Sequence, residues 1–333
     1  MIYLTSMCQS ENIKMNNNPI SNFEDLIKNE YSNIAGIAII KDEHLIYEKY
    51  FDGYTKEDGL HIASVTKSIT SALIGIAIDK GYIKNIEQKV IEFFPDYTVK
   101  RGEKTIQNIT IRNLMTMTAP YKYKSEPYTK IYTSDDWVKA TLDLLEGKGG
   151  IGVFKYTTVG THILSGVLAN ATSQSVIDFA TENLFKPLGI NAPNHVFIQN
   201  KEDYLAFLKD KYVTGWIVDP KGINTAGWGL TLTPRDMAKI GQLYLSGGVW
   251  NGNQILSSKW IEESTKEKSR WGELSYGYLW WIVDDCYAAL GDGGNVIFIN
   301  PKKEMVVAIA SRFMPRAKDR IELIRKHIIP LFG

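Results

Sequence analysis

Residues Ala63 to Lys80 read ASVTKSITSALIGIAIDK, and this stretch decides the fold. After Ser71, apolar side chains occupy almost every side of the helix that the pattern predicts, as a helix buried between two layers requires. Gly81 then ends it, in the position where helices commonly place a glycine. In the first turn, Ser64 and Lys67 stand three residues apart, so both lie on one face and their heads can meet. A serine hydroxyl is a poor nucleophile until a neighbouring base takes its proton, and a lysine desolvated by an apolar helix has its pKa lowered toward that task. At the helix N-terminus the Ser64 N–H has no intrahelical partner and is free to point at a developing oxyanion. The alternative is that Ser64 merely caps the helix and Lys67 is solvated above it. The buried character of the following turns argues for the first reading, because a solvated first turn does not need them.

Outward from this helix, Phe23–Tyr31 predicts a short helix, and Ile34–Lys41 and His44–Phe51 predict two strands joined by a tight turn at Asp42-Glu43. Downstream, Ile111–Met117, Ser134–Leu145, Thr161–Ala171 and Gln174–Leu184 are helical in period. Strand patterns return in Tyr276–Val283, Tyr287–Leu290, Val296–Asn300 and Met305–Ser311, before an amphipathic helix from Arg316 to Ile329. Strands at both ends bracketing helices predict an α+β fold, an α/β sandwich whose antiparallel sheet is built from both chain ends, with a mainly helical lobe at about residues 82–215. Residues 1–20 read as a disordered or leader-like N-terminus, and 21–333 as a single catalytic domain.

The chain has 333 residues, 44% of them hydrophobic, enough for a sizeable core, and its 38 basic and 37 acidic side chains nearly cancel. That balance supplies no basic field for nucleic acid and favours a small-molecule or peptide substrate. Two cysteines, Cys8 and Cys286, do not make a disulfide framework. The five histidines, His44, His61, His162, His195 and His327, fall in no H-x-x-x-H grouping, so no metal and no cofactor are expected. No apolar run is long enough for a transmembrane segment. Met1 to Cys8 lacks a basic n-region, which favours a cytoplasmic location. Cys8 followed by Gln9-Ser10-Glu11 leaves a truncated lipoprotein leader as the alternative.

A second proton carrier is needed for the leaving group, and Tyr156, in the segment Val153-Phe154-Lys155-Tyr156-Thr157-Thr158 just before a predicted helix, is the candidate. Beside a lysine ammonium, a tyrosine is expected to lose its proton well below its usual pKa of about 10. Gly291-Asp292-Gly293-Gly294-Asn295 interrupts two strands with glycines that let backbone approach a ligand, and the Asn295 N–H is positioned to complete an oxyanion hole. A plain hairpin turn is the other reading of this stretch.

With these three elements in this order, the chain resembles the serine hydrolases that include class C β-lactamases, D-alanyl-D-alanine carboxypeptidases and related esterases and amide hydrolases. The likeness runs from about residue 30 to 315, through Ile62–Lys67, Ile111–Thr118, Phe185–Ile190, Gly227–Leu230 and Thr233–Lys239. It implies a β-lactamase/transpeptidase-like fold and an acyl-enzyme on Ser64. Lys67 and Tyr156 would be the acid/base pair, and the N–H groups of Ser64 and Asn295 the oxyanion hole. The family's Y-x-N is matched by Tyr156-Thr157-Thr158 here, and its K-T-G or H-x-G by Asp292-Gly293-Gly294. The literal Tyr31-Ser32-Asn33 precedes the nucleophile and reads as a decoy. The resemblance makes Thr158, Asp292, Gly293 and Gly294 substrate-binding positions. Thr158 offers no amide to a substrate carbonyl, and Asp292 stands where relatives place a cation or neutral donor facing the substrate carboxylate, so an anion there should repel such a carboxylate. The expected substrate is an ester or amide, or a peptide, that is neutral or carries an ammonium near the scissile bond. A β-lactamase or D,D-carboxypeptidase is the first alternative, and a non-catalytic or slowly deacylating sensor of the same fold the second.

Overall fold

The computed structural model describes residues 18–145 and 150–333. Cys8 and the leader-like signal around it lie outside the described residues. Of the segment expected to be leader-like, Pro19 and Ile20 already belong to helix α1 (Pro19–Glu30). Asn18 caps this helix by accepting from the Ile20 N–H, and a proline suits the first helical position because its missing N–H would have no partner there.

Strands β1 (Ile34–Lys41) and β2 (His44–Tyr50) form the expected hairpin, turned by Asp42 and Glu43 at φ of 47° and 65°. Helices α2 (Val65–Asp79), α3 (His162–Thr172) and α4 (Pro234–Leu245) follow. The late strands are β3 (Ser269–Trp271), β4 (Leu274–Tyr276), β5 (Trp281–Val283), β6 (Cys286–Gly291), β7 (Asn295–Asn300) and β8 (Met305–Ser311). Among the described residues, these eight strands make one antiparallel sheet in the order β2-β1-β8-β7-β6-β5-β4-β3, so the two chain ends meet where β1 pairs with β8.

Both faces of this sheet are covered, which is why β8 buries all of its residues. One side of β8 presents Met305, Val307 and Ile309 to Phe23 and Ile27 of α1 and to Leu323, Ile324 and Ile328 of the C-terminal helical stretch. The other side presents Val306, Ala308 and Ala310 to the larger core that contains α2 and α4. Small residues let α4 lie close. A Cβ on Gly241 would stand 2.4 Å from Val306 Cγ1. Helix α2 is buried from Val65 through Ala77, between the sheet and α3. Each large aliphatic side chain buried there contributes about 1.5–3 kcal/mol.

Between residues 82 and 215 the described elements include short helices at Ile111–Met115, Trp137–Leu142 and Lys201–Lys209 besides α3. Two departures from expectation have a clear local cause. The predicted strand Tyr276–Val283 is broken into β4 and β5, because Leu279 turns back at φ 62° and exchanges backbone and side-chain hydrogen bonds with Met115 and Ser68. The last helix begins at Arg320, not Arg316, because Arg316 has φ 56° and Asp319 is the residue that caps the helical N–H groups. No helix among the described residues is long and apolar enough to cross a membrane.

Candidate active site

The chain enters α2 through Ala63, a non-glycine residue at φ 49°, followed by Ser64 at φ −70°. A left-handed alanine costs local free energy that the surrounding packing must offset, and it holds the serine at a sharp turn between β-type backbone and helix. The turn is closed by Val65 N–H to Ile62 O and by the Thr66 N–H and hydroxyl to Ala63 O. One turn in, Lys67 is 1% exposed, and its Nζ donates to Ser64 Oγ at 2.9 Å, to Thr158 Oγ1 at 3.2 Å and to Gly227 O at 2.9 Å. Burial pulls the Lys67 pKa down to about 7, against the opposing pull of Glu126 and then of Asp292. A lysine that is neutral near pH 7 and touches a serine hydroxyl is chemically able to take its proton.

Tyr156 stands on the other side of Lys67, with the lysine Nζ 4.8 Å from its ring centroid, and its hydroxyl hydrogen-bonds Ser64. The structure thus brings Ser64, Lys67, Tyr156 and Thr158 together. The expectation that the lysine draws off the tyrosine's proton does not hold. Burial raises the Tyr156 pKa above 10, the charges of Asp292 and Glu126 add to the rise, and the bond to Ser64 only partly opposes it. Tyr156 keeps its proton at neutral pH, and the group poised to accept one is Lys67.

The β6–β7 hairpin supplies the opposite wall. A Cβ on Gly291 would lie 2.4 Å from Ile62 O and 3.2 Å from Ala63 Cβ, so glycine is what lets this strand end touch the residues preceding Ser64. Gly291→Ala is therefore expected to destabilise the protein by about 1–3 kcal/mol, read as a lower urea midpoint, because the obstructing atom is backbone. Gly293 and Gly294, at φ 80° and 88°, build the turn. Their carbonyls accept from Asn33 Nδ2 (2.6 Å) and Ser311 Oγ (3.1 Å). Asn295 pairs with Gly291 across the ladder and is buried, its Nδ2 donating to Asp292 O and its Oδ1 accepting from Ser311 N–H. The hairpin residue seated against the approach to Ser64 is thus Gly291, on the strand opposite Asn295. Asn33, of the Tyr31-Ser32-Asn33 triplet, also donates to Arg312 O and accepts from Arg320, tying the hairpin to the residues after β8. A cavity of about 480 Å³ bounded by residues 290–295 and 313–321 adjoins the same hairpin without including Ser64, Lys67 or Tyr156.

Asp292 is exposed, and its charge is felt by Lys67 and by Tyr156, Tyr128 and Tyr204, all already shifted mainly by burial. Aromatic rings line the surroundings. Trp281 stacks on Tyr156 at 5.7 Å, while Tyr128, Tyr132, Trp228 and Tyr204 follow one another at 5.4–5.9 Å. Sequence reasoning gave these rings, Glu126 and Gly227 no role at the site, although Gly227 and Trp228 lie in a stretch that carries the family likeness, since nothing local marks which residues reach the site from separate loops. A Cβ on Gly227 would meet Thr161 Oγ1 at 2.4 Å and Thr158 O at 2.6 Å, so this glycine is what brings the 227 carbonyl within reach of Lys67. Among the described residues, no group of three or more His, Cys, Asp or Glu side chains is arranged to hold a metal.

Known proteins match this arrangement. The family model described as Beta-lactamase matches residues 23–328. The 6-aminohexanoate-dimer hydrolase of Paenarthrobacter ureafaciens is 23% identical over 298 residues, covering 81% of this chain and 70% of the relative. Among solved structures, a family VIII carboxylesterase superposes with a TM-score of 0.69 at 15% identity, over 94% of this chain and 96% of the other. A class C beta-lactamase does so with a TM-score of 0.69 at 15% identity, over 96% and 99%. A match over nearly all of the described sheet and helices shows that the chain belongs to the beta-lactamase family and is a serine hydrolase of the fold that family shares with penicillin-binding proteins.

Proposed function

We propose that the protein hydrolyses an ester or amide through an acyl-enzyme on Ser64, and that its substrate is neutral or carries an ammonium group near the scissile bond. The observation that carries the reading is the 2.9 Å contact between Ser64 Oγ and a lysine whose pKa is pulled to about 7. Neutral Lys67 takes the Ser64 proton as Oγ attacks the acyl carbon, and the negative charge passes to the acyl oxygen. That oxygen is received by the Ser64 N–H and by a backbone N–H of the β6–β7 hairpin, for which Asn295 is the candidate and whose strand end at Gly291 packs against Ile62 and Ala63. As the tetrahedral centre collapses, Tyr156 gives its proton to the leaving oxygen or nitrogen and recovers one from the Lys67 ammonium. Water then attacks the acyl ester, Lys67 takes its proton, and Ser64 Oγ leaves as the hydroxyl.

The substrate charge follows from Asp292. Its carboxylate is exposed on the hairpin turn and acts on Tyr128 and Tyr204, and aromatic rings within reach of that charge suit a cation, which gains from their faces as well as from the carboxylate. The linear 6-aminohexanoate dimer, which names the relative above, carries an amine at one end of its amide and a carboxylate at the other, so it tests both charges at once. It belongs in the first substrate panel on that ground.

A fluorophosphonate followed by peptide mapping is expected to place one adduct, on Ser64. An adduct on another serine would remove the acyl-enzyme reading. Asp292→Asn is expected to lower kcat/KM for ammonium-bearing esters about 10-fold against matched neutral esters and to improve matched carboxylate-bearing ones. An unchanged ranking of the three would sink the charge assignment and bring penicillins and D-Ala-D-Ala peptides back as substrates.

A further inference from the structure

Resting on the serine hydrolase reading above, we propose that Glu126 is the positioning residue of this site: it holds the segment Tyr156–Val159 against Lys67 and brings a carboxylate to the far side of Thr158, the residue that Lys67 touches. The third residue of the Tyr156-Thr157-Thr158 triplet brings a hydroxyl and no amide, so the segment needs its order from elsewhere. Glu126 provides it from a separate loop, 30 to 33 residues upstream. Its Oε1 accepts from Thr157 Oγ1 at 2.5 Å, from the Thr158 N–H at 2.6 Å and from the Val159 N–H at 3.0 Å. Tyr128 donates to Oε2, and the Tyr123 hydroxyl reaches Oε1 at 3.3 Å while also bonding Thr157. Thr157 is itself 1% exposed and passes the order on, accepting from the Gly160 N–H at 2.9 Å.

These N–H groups belong to the turn just ahead of α3, whose N-cap is Thr161. One carboxylate accepts from two successive backbone donors of that turn and so fixes the direction in which Tyr156 and Thr158 face Lys67. It also sets charge. The groups facing Lys67 are Ser64 on its own helix, Thr158 and Tyr156 on this segment, the Gly227 carbonyl, and at longer range Glu126 and Asp292. Glu126 in turn is faced by Tyr123, Tyr128 and Thr157, and its charge acts on Lys155, whose Nζ sits 4.1 Å from the Tyr123 ring centroid. Of the two carboxylates, Glu126 is the one that acts more on Lys67, after burial.

Two variants separate order from charge. Glu126→Gln retains an acceptor oxygen and loses the charge, whereas Glu126→Ala loses both. The readout is the rate of fluorophosphonate labelling at Ser64 from pH 5 to 9, with circular dichroism to verify the fold. In the full chain this rate should rise as Lys67 loses its proton. Removing a neighbouring anion lowers the pKa of a cation, so the Gln variant should keep its plateau within about 3-fold while its acid limb moves to lower pH, raising the rate at pH 6 about 3-fold relative to its own plateau. The Ala variant should lose about 10²-fold at the plateau, as misplaced catalytic groups do. An acid limb that stays put in Glu126→Gln overturns the proposal whatever the Ala variant does, since a merely structural residue leaves it in place. If the unaltered protein is not labelled at Ser64, the serine hydrolase reading fails and this assignment with it. Labelling there with an unmoved limb refutes Glu126 alone.

Discussion

Lys67→Met is expected to slow acylation of Ser64 about 10³-fold, within the range that a positioned base contributes, and at the same time to make the protein more stable at pH 6. The two effects have one cause. Burial holds the folded lysine's pKa near 7 against 10.5 when unfolded. Between those pH values the unfolded chain binds a proton that the folded one does not, so stability rises with pH through this window and the folded state carries the full cost below it. That cost is at most about 5 kcal/mol. Methionine has a similar volume and no charge, but it leaves Gly227 O without the lysine donor, which costs about 1–3 kcal/mol. The net gain at pH 6 is therefore about 2 kcal/mol. Urea unfolding at pH 6 and pH 9 checks it: the unaltered protein should gain stability toward pH 9, and the variant should show little slope. A variant that is both inactive and destabilised at pH 6 would mean that the Lys67 ammonium is stabilised by its neighbours and not penalised by burial, so its pKa is not lowered and the role as base would be lost.

Ser64→Ala should reduce ester turnover by about 10⁴-fold or more and abolish the fluorophosphonate adduct. Unlike Lys67→Met it should move the urea midpoint hardly at all. Ser64 is only half-buried, and Lys67 retains Thr158 Oγ1 and Gly227 O as acceptors when Oγ is gone. The contrast matters, because loss of activity with the fold intact places the chemistry on the hydroxyl, whereas loss of both would point to a structural serine. Residual turnover within 10-fold of the unaltered protein would require another nucleophile.

Much of this was legible in the sequence, and the reason is local. Continuous apolar runs of strand length such as Met305–Ser311 and the apolar helix after Ser64 state their own conformation, because the side chains that must be buried are neighbours along the chain. The i, i+3 spacing alone carries the pair Ser64 and Lys67. Element ends were less legible: nothing in Tyr276–Val283 announces that Leu279 turns back toward Met115 and Ser68, contacts made with residues far away in sequence.

Local patterning suffices for a two-ended antiparallel sheet, a buried helix carrying Ser64 and Lys67, and a tyrosine candidate ahead of α3. What surrounds Lys67 is set by the folded chain. Thr158 and Gly227 come from 91 and 160 residues away, and Glu126 orders the Tyr156 segment from a loop with no recognisable pattern. The folded chain also decides that Tyr156 keeps its proton, that Gly291 touches the turn before Ser64, and that Asn33 braces the hairpin. Helical and strand periodicity is a property of adjacent residues and can be read directly. The desolvation and charge that set a pKa arise from groups that become neighbours only when the chain closes on itself.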